Sequence, residues 1–71
     1  MEKNILIRFG DKVRVERLKR KLSQEELAAK AGVHRTYIGM VERAEKNITL
    51  RNIDKICKAL NLRIQDFFSE F

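Results

Sequence analysis

Two helical patterns meet at Gly32 with one or two residues between them, and nothing else in the chain restricts the fold as much. The first pattern begins at Ser23, which is followed three residues later by Glu26. That is the spacing of a capping box, in which the hydroxyl accepts from the Glu26 amide and the carboxylate reaches back to the Ser23 amide. Leu22 and Leu27 flank the cap at the spacing of a hydrophobic staple. Ala28 and Ala31 continue the apolar side and, being small, admit a close neighbour. Gly32 suits the left-handed conformation that ends a helix. A second periodic segment starts at Val33 and His34, so the two helices must cross steeply. By three- and four-residue spacing Ile38 and Val41 face inward, with Tyr37 a third candidate. Arg35, Thr36, Gly39, Met40 and Arg43 are left outward, a polar, basic face with short side chains near its N-terminal end.

A chain of 71 residues makes one domain, and a domain near this size buries only about 60% of its unfolded surface. Hydrophobic residues make up 44%, with no Pro and three Gly, which suits an all-helical domain because sheets need more turn residues. The one cysteine, Cys57, cannot close an internal disulfide, and its periodic setting reads as that of a small buried hydrophobe. An intracellular, cytoplasmic protein is therefore expected. No apolar run reaches the roughly 20 residues of a membrane span, and no leader with a cleavage site opens the chain, so it is expected to be soluble. Sixteen Lys and Arg against ten Asp and Glu give a formal charge of +6. That favours nucleic acid, an anionic membrane surface or an acidic protein as partner, and charge alone does not choose.

Residues 1–4 read as a frayed start and 5–21 as a first helix, with Phe9, Val13, Leu18 and Leu22 as its stripe. Gly10 interrupts it, and Val15 and Glu16 fit neither face cleanly. Its cations, Arg8, Lys12, Arg14, Arg17, Lys19, Arg20 and Lys21, form either a solvated face or a surface for phosphate or an acidic partner. After a connector at 44–48, Thr49 caps a helix over 49–60, with Ile48 and Ile53 at staple spacing and Asn61 as a stop. A last helix, 63–70, carries Ile64, Phe67 and Phe68, with Phe71 just beyond. A core this small takes one or two of these aromatics, and the rest form an exposed apolar patch of the kind that marks an interface. A homodimer contact is the expectation, with simple completion of the core as the alternative.

Catalysis is not expected. His34 is the one histidine, no Cys/His cluster has metal-ligand spacing, and the adjacent Glu25 and Glu26 diverge by about 100° on a helix. The three glycines are scattered rather than gathered into a phosphate loop. Neither metal nor cofactor is expected. DNA reading, by contrast, needs a helix braced by a second helix, with polar side chains at its N-terminal end. Arg35 can donate twice to guanine, Thr36 can bond or pack its methyl on thymine, and Tyr37 can meet a base or a phosphate. Gly39 would let such a helix sit deep. Gln24, in the first turn of the brace, and His34, near the second N-cap, are placed for phosphate.

The stretch SQEELAAKAGVHRTYIGMVER, followed by NITLRNIDKICKAL, resembles the Cro/C1-type (Xre) helix-turn-helix domains over roughly residues 9–68. HRTYI, VER, NITL and the phenylalanine pair are similar to the small controller proteins of restriction–modification systems. The resemblance implies a five-helix, lambda-repressor-like fold that binds a pseudo-palindromic operator as a homodimer. It implies base contacts at Arg35, Thr36, Tyr37 and Met40, and phosphate contacts at Ser23, Gln24, Lys46, Asn47 and Thr49, to which His34 at the N-cap and the outward Arg43 are added as phosphate candidates. Arg17 and Glu42 correspond to a structural ion pair, and Ile64, Phe67, Phe68 and Phe71 to the dimer contact. A controller would activate its own gene with the linked endonuclease gene through RNA polymerase, and repress at higher occupancy. A phage-type repressor or an antitoxin regulator is the near alternative, and a basic protein-interaction module the distant one. Lys21 and Ala44 stand where glycine is frequent, which predicts helix ends that close differently. Glu16 stands where leucine is common, and Ile48 replaces a frequent proline.

Overall fold

The computed structural model describes residues 4–69. Five helices follow in order: α1 (Ile5–Lys19), α2 (Gln24–Ala31), α3 (Arg35–Glu42), α4 (Leu50–Ala59) and α5 (Ile64–Phe67). There is no strand among the described residues.

Local side-chain chemistry starts three of these helices. Ser23 and Glu26 form the full capping box, Glu26 N–H donating to Ser23 Oγ at 2.9 Å and Ser23 N–H to Glu26 Oε1 at 2.8 Å. Thr49 Oγ1 accepts from the Asn52 amide at 3.1 Å. Asn4, read from sequence as frayed, caps α1 by accepting from the Ile7 amide at 3.0 Å. Four helices end alike, with a residue at positive φ and a paired backbone closure. The residues are Lys21 (φ 57°), Gly32 (72°), Ala44 (60°) and Asn61 (59°). At the first, Lys21 N–H donates to Leu18 C=O at 3.0 Å and Leu22 N–H to Arg17 C=O at 3.1 Å. After α3, Ala44 N–H meets Val41 C=O at 3.0 Å and Glu45 N–H meets Met40 C=O at 2.9 Å. Lys21 and Ala44 thus do not close their helices differently. The backbone bonds impose the left-handed geometry, and the side chain bears the strain.

α3 lies in the middle, packed against α1 and α2, while α4 packs on α2 and carries α5. The core takes Phe9 and Val13 from α1, Leu27, Ala28 and Ala31 from α2, Ile38 and Val41 from α3, then Ile56, Cys57, Leu60 and Phe67. Burial pushes the Cys57 thiol up to about 11, with the nearby Asp54 carboxylate adding to it. The Cys57 thiol is therefore neutral at ordinary pH.

The register of α1 departs from the predicted stripe. Leu18 is 51% exposed, and the buried face is Phe9, Gly10, Val13, Glu16 and Arg17. Glu16 can lie inward because Arg20 donates to it at 2.7 Å, with Lys12 at 3.3 Å and Lys19 at 3.6 Å. The Arg20 hydrogen bond leads in holding its carboxyl below the usual range, against the opposing effect of burial. Gly10 is no interruption. A Cβ there would stand 2.5 Å from the Val41 carbonyl oxygen and 2.9 Å from that of Glu42, so glycine is what lets α1 press against the backbone of α3.

The C-terminal end also differs from expectation. The helix spans four residues rather than 63–70, and Phe67 is fully buried. Its ring lies 5.1 Å from that of Phe9 and 5.3 Å from that of Phe68, and Phe68, half-buried, stacks on Phe9 at 5.9 Å. Phe67 completes the protomer core and has no surface to offer a second copy. Ile64 is 40% exposed and Phe68 partly so, while Phe71 lies outside the described residues.

Candidate nucleic-acid interface

The candidate interface is built on the crossing of α2 and α3. Gly32 turns the chain at φ 72° with nothing within 4 Å of a Cβ position, so its requirement is conformational and not one of space. His34 then occupies the N-cap position of α3 in extended backbone, its side chain exposed and making no cap hydrogen bond. Ile38 and Val41 face the core as the spacing predicts, which turns Arg35 and Thr36 to solvent in the first turn. Arg35 Nη1 donates to Glu25 Oε2 across the turn at 3.3 Å. Met40 is half-buried further along the same helix.

Tyr37 does two jobs at once. Its ring packs against the core cluster, and its hydroxyl accepts from Asn52 Nδ2 of α4 at 3.0 Å. The hydroxyl proton stays available for an acceptor outside. Gly39, read from sequence as outward, is buried under two side chains. A Cβ there would meet Arg43 Nη1 at 3.1 Å and Gln24 Oε1 at 3.5 Å. Both residues are phosphate candidates, and the missing side chain makes room for them. Arg43 also pairs with Glu45 at 3.0 Å, and that hydrogen bond holds its guanidinium more firmly protonated.

One buried carboxylate ties these parts together. Glu42 Oε2 accepts from Arg17 Nε at 2.7 Å, and Oε1 accepts from Arg17 Nη2 and from Gln24 Nε2, each at 3.1 Å. Arg17 uses its remaining edge on the Leu22 carbonyl at 2.8 Å, in the turn that enters α2. The carboxylate raises the pKa of the guanidinium further, despite burial. The pair thus locks α1, the α2 entry and the end of α3, and it holds Gln24 at the surface by one amide proton. The other amide proton has no protein partner among the described residues. Ser23 is exposed with its oxygen engaged in the cap, and Lys46, Asn47 and Thr49 are exposed in the connector beyond α3.

Among the described residues no group of three or more His, Cys, Asp or Glu could hold a metal ion, and no helix is long and apolar enough to cross a membrane. The contacts of Asn52, Glu25 and Gly10 do not show in the spacing, because their partners are ten or more positions away.

A helix-turn-helix family profile matches residues 13–67. Control protein C.BamHI of Bacillus amyloliquefaciens is 49% identical over 67 residues, covering 93% of this chain and 83% of that protein. The chain belongs to the helix-turn-helix family, among its control proteins. The restriction–modification controller protein C.AhdI of Aeromonas hydrophila superposes on this helix-turn-helix domain with a TM-score of 0.85 and 41% identity, over 89% of this chain and 96% of that one. The controller protein C.Esp1396I, as a tetramer on its natural 35 base-pair operator, matches with a TM-score of 0.89 and 32% identity over 96% of this chain and 90% of that one. The whole five-helix architecture is thus that of a helix-turn-helix controller.

Proposed function

We propose that this protein is the controller of a restriction–modification system, a transcriptional regulator that binds a pseudo-palindromic DNA operator as a homodimer. One observation carries the reading. Arg35 and Thr36 stand exposed at the N-terminal end of a helix braced by α2, in a chain that matches an operator-bound controller over nearly its whole length. In this reading α3 enters the major groove, with Arg35, Thr36, Tyr37 and Met40 facing base edges. Ser23, Gln24, His34, Arg43, Lys46, Asn47 and Thr49 face the phosphates on either side. Two protomers present two copies of α3 about 34 Å apart, matching half-sites one turn of DNA apart. Occupancy then sets transcription of its own gene and the linked endonuclease gene, by recruiting RNA polymerase at low occupancy and blocking it at high.

The test is a binding titration on a palindromic duplex selected from a random pool, against random duplex of equal length. A ratio of about 10³ or more is expected, with log K falling linearly in log salt. A ratio near one would sink the proposal. Methyltransferase and endonuclease genes beside this one would separate the controller from a phage repressor.

A further inference from the structure

Glu25 and Arg35 form an ion pair that belongs neither to the core nor to a helix cap. They lie ten positions apart on different helices, at the rim of a shallow recess of about 310 Å³ lined by Glu25, Ala28, Ala29, Val33, His34 and Arg35. Glu25 is the one acid there. The bond is 3.3 Å long, and both side chains are more than two-thirds exposed, at 73% and 71%. A pair so exposed adds little to folding. Its consequence is where the guanidinium points and what it will accept.

We propose that Glu25 is a positioning residue that makes Arg35 a reader of bases rather than a binder of phosphates. The inference rests on the DNA-reading function above. Arg35 engages Glu25 through Nη1 alone, and a guanidinium has five N–H donors. Enough remain to donate twice to O6 and N7 of a guanine, so the tether need not break when the base is read. Phosphate is a different matter. On a protein of formal charge +6 a free arginine at the groove edge would pair with whichever phosphate came near. The Glu25 carboxylate repels that phosphate, while guanine presents neutral acceptors and meets no such repulsion. Glu25 therefore lowers affinity for DNA in general and preserves it at one base pair, which is specificity gained by weakening the competitor.

The experiment compares wild type, Glu25→Gln, Arg35→Ala and the double variant, each checked by circular dichroism for an unchanged fold. Three duplexes are used: the selected palindrome, the same palindrome with the Arg35-dependent base pair replaced, and random DNA. Glu25→Gln is expected to bind random DNA several-fold more tightly, with a salt slope steeper by about one phosphate. Its preference for the original base pair is expected to fall about tenfold, and only while Arg35 is present. An unchanged preference, or the same loss in the Arg35→Ala background, would overturn the proposal and make Glu25 a generic surface charge. Wild-type protein with no preference for its selected palindrome would overturn this inference through the function on which it rests, a result told apart before any variant is made.

Discussion

Glu42 is one residue from solvent in the chain and almost wholly enclosed in the fold, its side chain 4% exposed against 10% for Arg17. Removing one partner of such a pair strands the other charge, at a cost of about 3–5 kcal/mol. Glu42→Ala is therefore expected to lower the melting temperature sharply, since each kcal/mol moves a domain of this size by about 4–8 °C. Gln24 would lose its anchor in the same step. A melt within a few degrees of wild type would show the pair to be idle. Arg35 is the opposite case, exposed and expendable for folding. Arg35→Ala should leave the melt unchanged and cost about 1–3 kcal/mol of DNA binding at its own base pair. Loss spread evenly over all sequences in a binding titration would mark it as a phosphate contact. Spacing alone places Arg35 on the outward face of α3, and the fold has it exposed there. The dual role of Tyr37 was not readable, because Asn52 lies fifteen positions away on another helix.

At the scale of the element, the helix ends are the informative places. The α1, α3 and α4 ends repeat the Gly32 closure with lysine, alanine and asparagine at positive φ. Lysine and alanine pay a steric penalty there of roughly 1–2 kcal/mol, while asparagine is better suited. Part of that penalty returns as unfolded-chain entropy when glycine is introduced. Lys21→Gly and Ala44→Gly are each expected to stabilise the fold by about 0.5–1 kcal/mol, and Asn61→Gly to change it less. Urea denaturation of the three variants checks the order, and destabilisation by Ala44→Gly would contradict it. The starts of α2 and α4 were legible because a capping box and a Thr cap are contained within four residues. The register of α1 was not, because counting apolar residues ranks Leu18 above Glu16. Glu16 is nevertheless buried, since Lys12, Lys19 and Arg20 surround its carboxylate. Charges that neutralise one another can occupy a buried face, and hydropathy alone does not register that. Gly10 escaped for a related reason, since its importance comes from the α3 backbone above it.

At the scale of the molecule, the proposed function has one copy of α3 reading half of a palindrome, and in that reading operator affinity depends on what holds two copies together. The C-terminal apolar residues share one stripe in the sequence, yet the fold separates them. Phe67 is enclosed by Phe9 and Phe68, while Ile64 stands 40% exposed one helical turn earlier. The two positions should therefore fail in different ways. Phe67→Ala empties a ring from the core and is expected to cost about 3–5 kcal/mol, most of what a small domain has to spare. Helicity and DNA binding would fall together. Ile64→Ser removes apolar surface that the protomer leaves uncovered, so helicity and melting should hold while sedimentation shifts towards monomer. Because linking two binding units raises avidity by about 10²–10⁴, operator affinity should fall by a similar factor, with affinity for a single half-site unchanged. An intact dimer in Ile64→Ser would move the contact elsewhere on the surface. Leu50, 83% exposed at the start of α4, would then be the position to substitute next.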